Sequence, residues 1–259
     1  MSWIAERGLT DAKGEGMLGR RLWRFIRGSV SPKSVESDTQ PGELICTELP
    51  AWSHRQDSQV QDLSAGRVSD AKLARLRDSK GLQVLRLDWT GVTDAGLAHL
   101  EALENIRVLT LTSTKVTDAG LVFLKKMHRL QILDLCNTQV TDAGLEIVKE
   151  FEELQKLGLA LTRVTDPGLA HLKALKALRY LTLNFTNVTD AGLAHLNQLP
   201  ALQTLFVSNT QITDTGLSYL GKMKSLNTIF VCDTHITNDG VAALRAMLPN
   251  TDIYDVYPR

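Results

Sequence analysis

One phrase, VTDAGLAHL, stands at residues 92–100 and again at 188–196. Variants stand at 68–76 (VSDAKLARL), 116–124 (VTDAGLVFL), 140–148 (VTDAGLEIV), 164–172 (VTDPGLAHL), 212–220 (ITDTGLSYL) and 236–244 (ITNDGVAAL). Each begins 24 residues after the one before, with no insertion or deletion. A fixed period of roughly 20–50 residues marks stacked supersecondary units. Every residue of the phrase therefore recurs as a column through the stack, and each column has to be explained as architecture before it is read as chemistry.

The repeat at 82–105, LQVLRLDWTGVTDAGLAHLEALEN, divides in two. Leu85 and Leu87 alternate as a strand does. In the core position Leu85 is followed by Leu109, Leu133, Leu157, Leu181, Leu205, Ile229 and Ile253. The second half predicts a short helix with Leu97, Leu100 and Leu103 on one face. Thr93 or Asp94 is the expected cap, and the aspartate also suits the positive end of the helix dipole. Gly96 recurs through Gly120 and Gly144 to Gly240, although glycine disfavours a helix by about 1 kcal/mol. Its recurrence predicts a site where a side chain would strike the neighbouring coil. The column Thr90, Thr114, Thr138, Thr162, Thr186, Thr210, Thr234 leaves the strand, and each hydroxyl is expected to bond the backbone of its turn and of the next coil. A unit this short is marginal alone, so stability must come from stacking.

Composition sets the outer limits. There are 29 basic and 29 acidic residues for zero net charge, a poor footprint for a nucleic-acid binder. No apolar run is long enough for a transmembrane helix. Residues 17–30, MLGRRLWRFIRGSV, begin like a basic leader, but the polar stretch SPKSVESDTQPGE follows where an apolar segment belongs, so export is not expected. Cys46, Cys136 and Cys232 are too few for a disulfide framework. Cys136 and Cys232 hold the same repeat position four coils apart, roughly 19 Å at strand spacing. That is far beyond disulfide reach. Free thiols fit a reducing, cytoplasmic setting.

The pattern LxxLxLxxTxVTDAGLxxLxxL resembles the leucine-rich repeat, with Thr90 in the Asn/Cys place. The T-D-x-G-L helical half is similar to the ribonuclease-inhibitor-like, cysteine-containing branch, which includes F-box proteins and bacterial proteins with tandem TDAGL repeats. The resemblance implies an α/β solenoid: a right-handed horseshoe with a parallel concave sheet and convex helices. It also implies a binding scaffold. The expected divisions are an N-terminal region at 1–58, disordered in part or capping, about eight repeats at 59–248, and a C-terminal strand and cap at 249–259. Within the first repeat, Val60 and Leu63 take the apolar places. Residues 1–58 contain Pro32, Pro41 and Pro50 and show no F-box, which leaves a ubiquitin-ligase-like or effector adaptor as the alternative function.

Solenoids bind on the concave face, and register assigns its columns. One runs Arg86, Thr110, Asp134, Gly158, Thr182, Phe206, Phe230, Tyr254. The next runs Asp88, Thr112, Cys136, Ala160, Asn184, Ser208, Cys232, Val256. A third runs Trp89, Ser113, Asn137, Leu161, Phe185, Asn209, Asp233, Tyr257. Tyr180, Phe185, Phe206, Phe230 and Tyr254 gather in the last coils, with Trp89 near the other end. Aromatic residues carry much of the energy of protein interfaces, so these six are the candidate contacts for a protein or peptide partner. Two plainer readings stand beside this one: the rings stabilise the sheet, or a terminal segment covers them.

Catalytic and cofactor chemistry is not expected. Cys232 and His235 lie three apart where the strand turns away, a poor nucleophile–base pair. His99, His171 and His195 share a convex position but do not make four ligands. The aspartate column lacks a calcium loop, and the glycines form no phosphate loop. In residues 19–28, Arg20, Arg21, Arg24 and Arg27 alternate with Leu22, Trp23, Phe25 and Ile26, which suits contact with a partner or an acidic membrane surface, or a helix over the first coil. A monomer binding protein is the reading the sequence favours.

Overall fold

The computed structural model describes residues 59–256, all within one compact unit, Pro50–Arg259. Nine three-residue strands form one sheet in chain order. They are β1 Val60–Asp62, β2 Val84–Arg86, β3 Val108–Thr110, β4 Ile132–Asp134, β5 Lys156–Gly158, β6 Tyr180–Thr182, β7 Thr204–Phe206, β8 Thr228–Phe230 and β9 Asp252–Tyr254. All eight pairings are parallel, and each joins residue i to i+24, as Leu85 to Leu109. Each strand but the last leads to a short helical segment. Half of the eight are one α-turn running into a 3-10 turn, such as Asp94–Leu97 followed by Ala98–Leu100; the longest is Asn238–Met247. The result is a right-handed leucine-rich-repeat horseshoe with strands lining the concave side and helices the convex side.

The core is one continuous apolar cluster between the two layers. Leu85, Leu87, Val92, Leu97, Leu100 and Leu103 of one repeat are fully buried in it. The first coil departs from the expected pattern. Val60 pairs with Val84, so Gln61 takes the place of Leu85, and of the two expected apolar residues Leu63 packs, half-buried, against the core.

The TDAGL phrase has a division of labour that the sequence reading did not resolve. The threonine is the cap: the Thr93 hydroxyl accepts from the Ala95 N–H at 3.3 Å. Thr165 alone in the run makes no such bond, because Pro167 stands where the N–H should be. The aspartate works between coils. Asp94 Oδ1 accepts from the Thr117 N–H at 2.8 Å and Oδ2 from the Thr117 hydroxyl at 2.6 Å. The same two-bond rung recurs from Asp70–Thr93 to Asp214–Thr237.

The glycine is the third member of this device. A Cβ at Gly96, Gly120, Gly144, Gly168, Gly192, Gly216 or Gly240 would press into the carboxylate oxygen of the preceding coil's aspartate. The predicted collision is therefore with that carboxylate.

The other threonine column behaves more locally than expected. Thr90 donates to the Leu87 carbonyl at 2.6 Å, and Thr114, Thr138, Thr162, Thr186, Thr210 and Thr234 repeat this bond three residues back. Each hydroxyl locks its own turn and does not bridge to the next coil, because the short reach back to its own carbonyl satisfies it.

All three atoms nearest to a Cβ on Gly168 belong to Asp142. Gly168→Ala and Asp142→Ala are each expected to lower stability by about 2 kcal/mol, the second through loss of two hydrogen bonds to Thr165. The double variant should lose less than the sum, since removing the carboxylate removes the collision. Urea unfolding of the four proteins measures this coupling.

Candidate functional site: the concave face and its rim

Strand alternation sends Arg86, Asp88 and their columns to the concave side. The floor of this face is closely packed. Tyr180 is 7% exposed, Phe206 1% and Phe230 2%. Parallel in-register pairing places ring over ring. The centroids of Phe206 and Phe230 are 4.3 Å apart with planes 5° from parallel, and those of Phe230 and Tyr254 are 4.5 Å apart at 8°. Tyr180 comes from the neighbouring column, paired with Thr204, and meets Phe206 tilted at 43° with centroids 5.2 Å apart. Four of the six candidate aromatics thus form one stack that reaches solvent at Tyr254, which is 37% exposed. Phe185 is half-buried on the rim, and Trp89, 42% exposed, stands apart in the second coil.

The rim column has an unusual backbone. Ala65, Trp89, Ser113, Asn137, Leu161, Phe185, Asn209 and Asp233 all have positive φ, between 52° and 59°. Asn and Asp tolerate this left-handed region, and bulky apolar residues do not. Asn137, Asn209 and Asp233 were the available sequence signal. Trp89, Leu161 and Phe185 hold the conformation against preference.

Asp88 is a charged side chain of the second concave column. Its Oδ1 accepts from the Thr112 N–H at 2.8 Å. Its Oδ2 accepts from the Thr110 hydroxyl at 2.5 Å and, more weakly, from that of Ser64 at 3.4 Å. Burial first, and then the negative charge of Asp134, push its pKa up from the usual 3.8 to about 6, against the pull of the Thr110 and Thr112 hydrogen bonds. Asn184 has the same repeat position and accepts from the Ser208 N–H at 2.8 Å, so a neutral amide fits the slot. Nearby Asp62 pairs with Arg86 at 3.4 Å on the exposed side of the first coil. One carboxylate in a column otherwise of Thr, Cys, Ala, Asn, Ser and Val was the signal that could have singled out Asp88.

The Cys232 thiol is buried and protonated. Neither Cys136 nor Cys232 is in a disulfide. Burial pushes the Cys232 thiol up to about 11, so it stays protonated at neutral pH. Its sulfur lies 3.5 Å from the Tyr254 carbonyl, and its N–H donates to the Ser208 hydroxyl. His171 and His195 are half-buried on the convex side in adjacent coils. Among the described residues no cluster of three or more metal-ligating side chains occurs, and no helix is long and apolar enough to cross a membrane. Cys46, the basic segment 19–28, the region 1–58 and Tyr257 lie outside the described residues.

Comparison with known proteins agrees with the architecture. Residues 198–221 match the family described as Leucine Rich repeat. Among solved structures the chain is similar to an internalin (inlF) from Listeria monocytogenes, with 23% identity over 77% of this chain and a TM-score of 0.60. It is also similar to internalin C2 (inlC2) of the same organism, with 26% identity, 76% of this chain and 80% of that one covered, and a TM-score of 0.62. The chain spans 61% of the length of the inlF structure. No curated protein matches it. The repeat match and the nine-strand sheet agree on a leucine-rich-repeat fold.

Two outcomes follow from the geometry. Leu161→Asn should raise stability by about 0.5–1 kcal/mol, since it relieves a bulky residue at φ 58°; thermal unfolding reads it. The folded pKa of Asp88 lies above its unfolded value, so its stabilising contribution is full below about pH 4 and is lost as pH rises through about 6. Asp88→Asn should therefore gain on wild type across that window, by up to about 3 kcal/mol at pH 7.5, as measured by denaturation at a series of pH values.

Proposed function

We propose that this protein is a non-catalytic interaction module that holds a protein or peptide partner on its concave face. The observation that carries the reading is the distribution of accessible aromatics: Trp89 at one end, Tyr254 at the other, and Phe185 on the rim between. Phe206, Phe230 and Tyr180 form the rigid backing that holds Tyr254 in place. Rigid aromatic side chains lose little conformational freedom on binding, which is why they serve as anchors. The repeat family and the internalin-like fold support an interaction role in general.

The finer parts of the reading rest on sequence. The T-D-x-G-L half supports a place in the ribonuclease-inhibitor-like branch, and the columns support repeats at 59–248 between a 1–58 region and a 249–259 end. Free thiols support a cytoplasmic setting, and zero net charge argues against nucleic acid as the partner. The reading takes the working unit as a monomer. An adaptor role would need a helical adaptor element at 1–58, outside the described residues.

The test is affinity capture from native lysate with wild type, Trp89→Ser, Tyr254→Ser and the convex control Val122→Ser, each first shown to be folded by circular dichroism. A partner kept by wild type and Val122→Ser but lost by either concave variant is the expected outcome. A partner lost only by Val122→Ser would move the interface to the convex side and overturn the proposal.

A further inference from the structure

The last strand of the described sheet, β9, ends differently on its two sides. Asp252 donates its N–H to the Asn227 carbonyl and Tyr254 accepts from the Val231 N–H, both at 2.8 Å. These two residues therefore bond back toward β8, and Ile253 between them turns its main-chain groups outward. On the core side this edge is closed. Asp255 stands in the column that Leu87 begins and Val231 continues. Its Oδ1 lies 3.1 Å from Arg245 Nη2, and the same nitrogen donates to the Ile253 carbonyl at 3.3 Å. A further coil stacked here would bury that ion pair, which is costly. On the concave side the edge is open. Register puts Asp252, Tyr254 and Val256 in one row on that face, and all three are exposed. Among the described residues Tyr254 and Val256 are two of the four large apolar side chains that are exposed, at 37% and 72%. Phe230 covers one face of the Tyr254 ring, with centroids 4.5 Å apart and planes 8° from parallel. The opposite face of that ring looks away from β8, past the last strand.

We propose that this row receives an extended partner segment, which lies beside β9 as a further parallel strand and lays an aromatic ring on the free face of Tyr254. The stack itself defines what fits. Phe206, Phe230 and Tyr254 follow one another at 4.3 and 4.5 Å with nearly parallel planes, and one more ring in register continues the column. Alternation then sets the neighbours of that ring. The residue two before it faces Asp252, where a lysine or arginine offsets the charge. The residue two after it faces Val256, where an aliphatic side chain covers exposed apolar surface. The segment's main chain meets the outward N–H of Ile253, as in other strand additions. A cation, an aromatic and an aliphatic at alternate positions is thus the signature of the partner. The inference rests on the concave-face reading and adds to it the place and the chemistry of the partner.

The experiment is a fluorine resonance titration of the full chain, carrying 3-fluorotyrosine, at pH 7.5. The probe is acetyl-Lys-Thr-Phe-Thr-Val-amide. It is run against a counterpart with leucine for phenylalanine and a shuffled one, acetyl-Lys-Phe-Thr-Thr-Val-amide, whose ring points to the other face. Tyr254→Phe identifies the Tyr254 signal by its disappearance. The expected result is a saturable shift of that signal with the probe, several-fold weaker binding of the leucine counterpart and none of the shuffled one. Fluorescence anisotropy of the dye-tagged probe then reads the variants. Tyr254→Phe keeps the stacking face and should bind as wild type does, while Tyr254→Ser should bind about tenfold more weakly. Asp252→Asn should bind several-fold more weakly, and the convex control Val122→Ser should be unchanged. No saturable shift at Tyr254, equal binding of the shuffled peptide, or a loss in Val122→Ser equal to that in Tyr254→Ser overturns the inference. A shift of the Tyr254 signal with protein concentration alone would place a second copy on the ring and overturn a separate partner. If the probe fails while captured partners are still lost by Trp89→Ser, the concave-face reading survives and only the strand-receiving site falls.

Discussion

The bond on which the fold turns is the one between the aspartate of one coil and the threonine of the next. Asp94 holds both the N–H and the hydroxyl of Thr117, and the rung is repeated along the stack from Asp70 to Thr237. It fixes the distance between coils on the helical side while the parallel sheet fixes it on the strand side. A carboxylate bound by two donors has one preferred placement, so each rung also sets register. This is why the repeat tolerates no insertion: one extra residue would carry the threonine away from its aspartate and the glycine from the carboxylate that fills its missing side chain. The helices need only one or two turns, because the rungs and the leucine core supply the order that an isolated short helix lacks.

This constraint explains what the sequence made legible. Leu85, Leu109, Leu133 and their successors predicted strand, core and pairing in one step, since a period of one coil leaves no choice of register. Gly96 and its column predicted crowding correctly because glycine recurring inside a helix has few other causes. The choice of cap between Thr93 and Asp94 stayed open in the sequence because both are good cap residues. Only geometry shows that threonine faces its own helix and aspartate faces the next coil. In the first coil Gln61 stands where Leu85 recurs and Val60 pairs with Val84, so the leucine pattern is interrupted there.

The concave face was legible as a set of columns but not as a set of exposures. Identity in a column gives position; exposure depends on what stacks above and below. Phe206 and Phe230 are consecutive in one column and therefore stack on each other, which turns two apparent surface rings into a closed pile. Trp89 has Ala65 and Ser113 as column neighbours and stays open. The same rule separates Asp88 from the exposed acids. Its column is small and neutral, so neighbouring coils close around it and burial raises its pKa.

A repeat array built this way separates stability from recognition. Aspartate, threonine, glycine and leucine columns are occupied by the architecture, and substitution there strikes a neighbour on each side. The positions left to vary are the concave columns and the positive-φ rim. At the rim the backbone is held left-handed whatever the side chain, and from the second coil on the Thr90-type bond three residues back locks the turn. Asparagine is the residue such a turn prefers, and it stands at 137 and 209. Where Trp89, Leu161 and Phe185 replace it, local stability is spent without any gain in packing density of the buried core, from which all three are absent. A scaffold that repeats so strictly elsewhere concentrates its exceptions at the surface a partner would meet, and those exceptions are where specificity is to be sought.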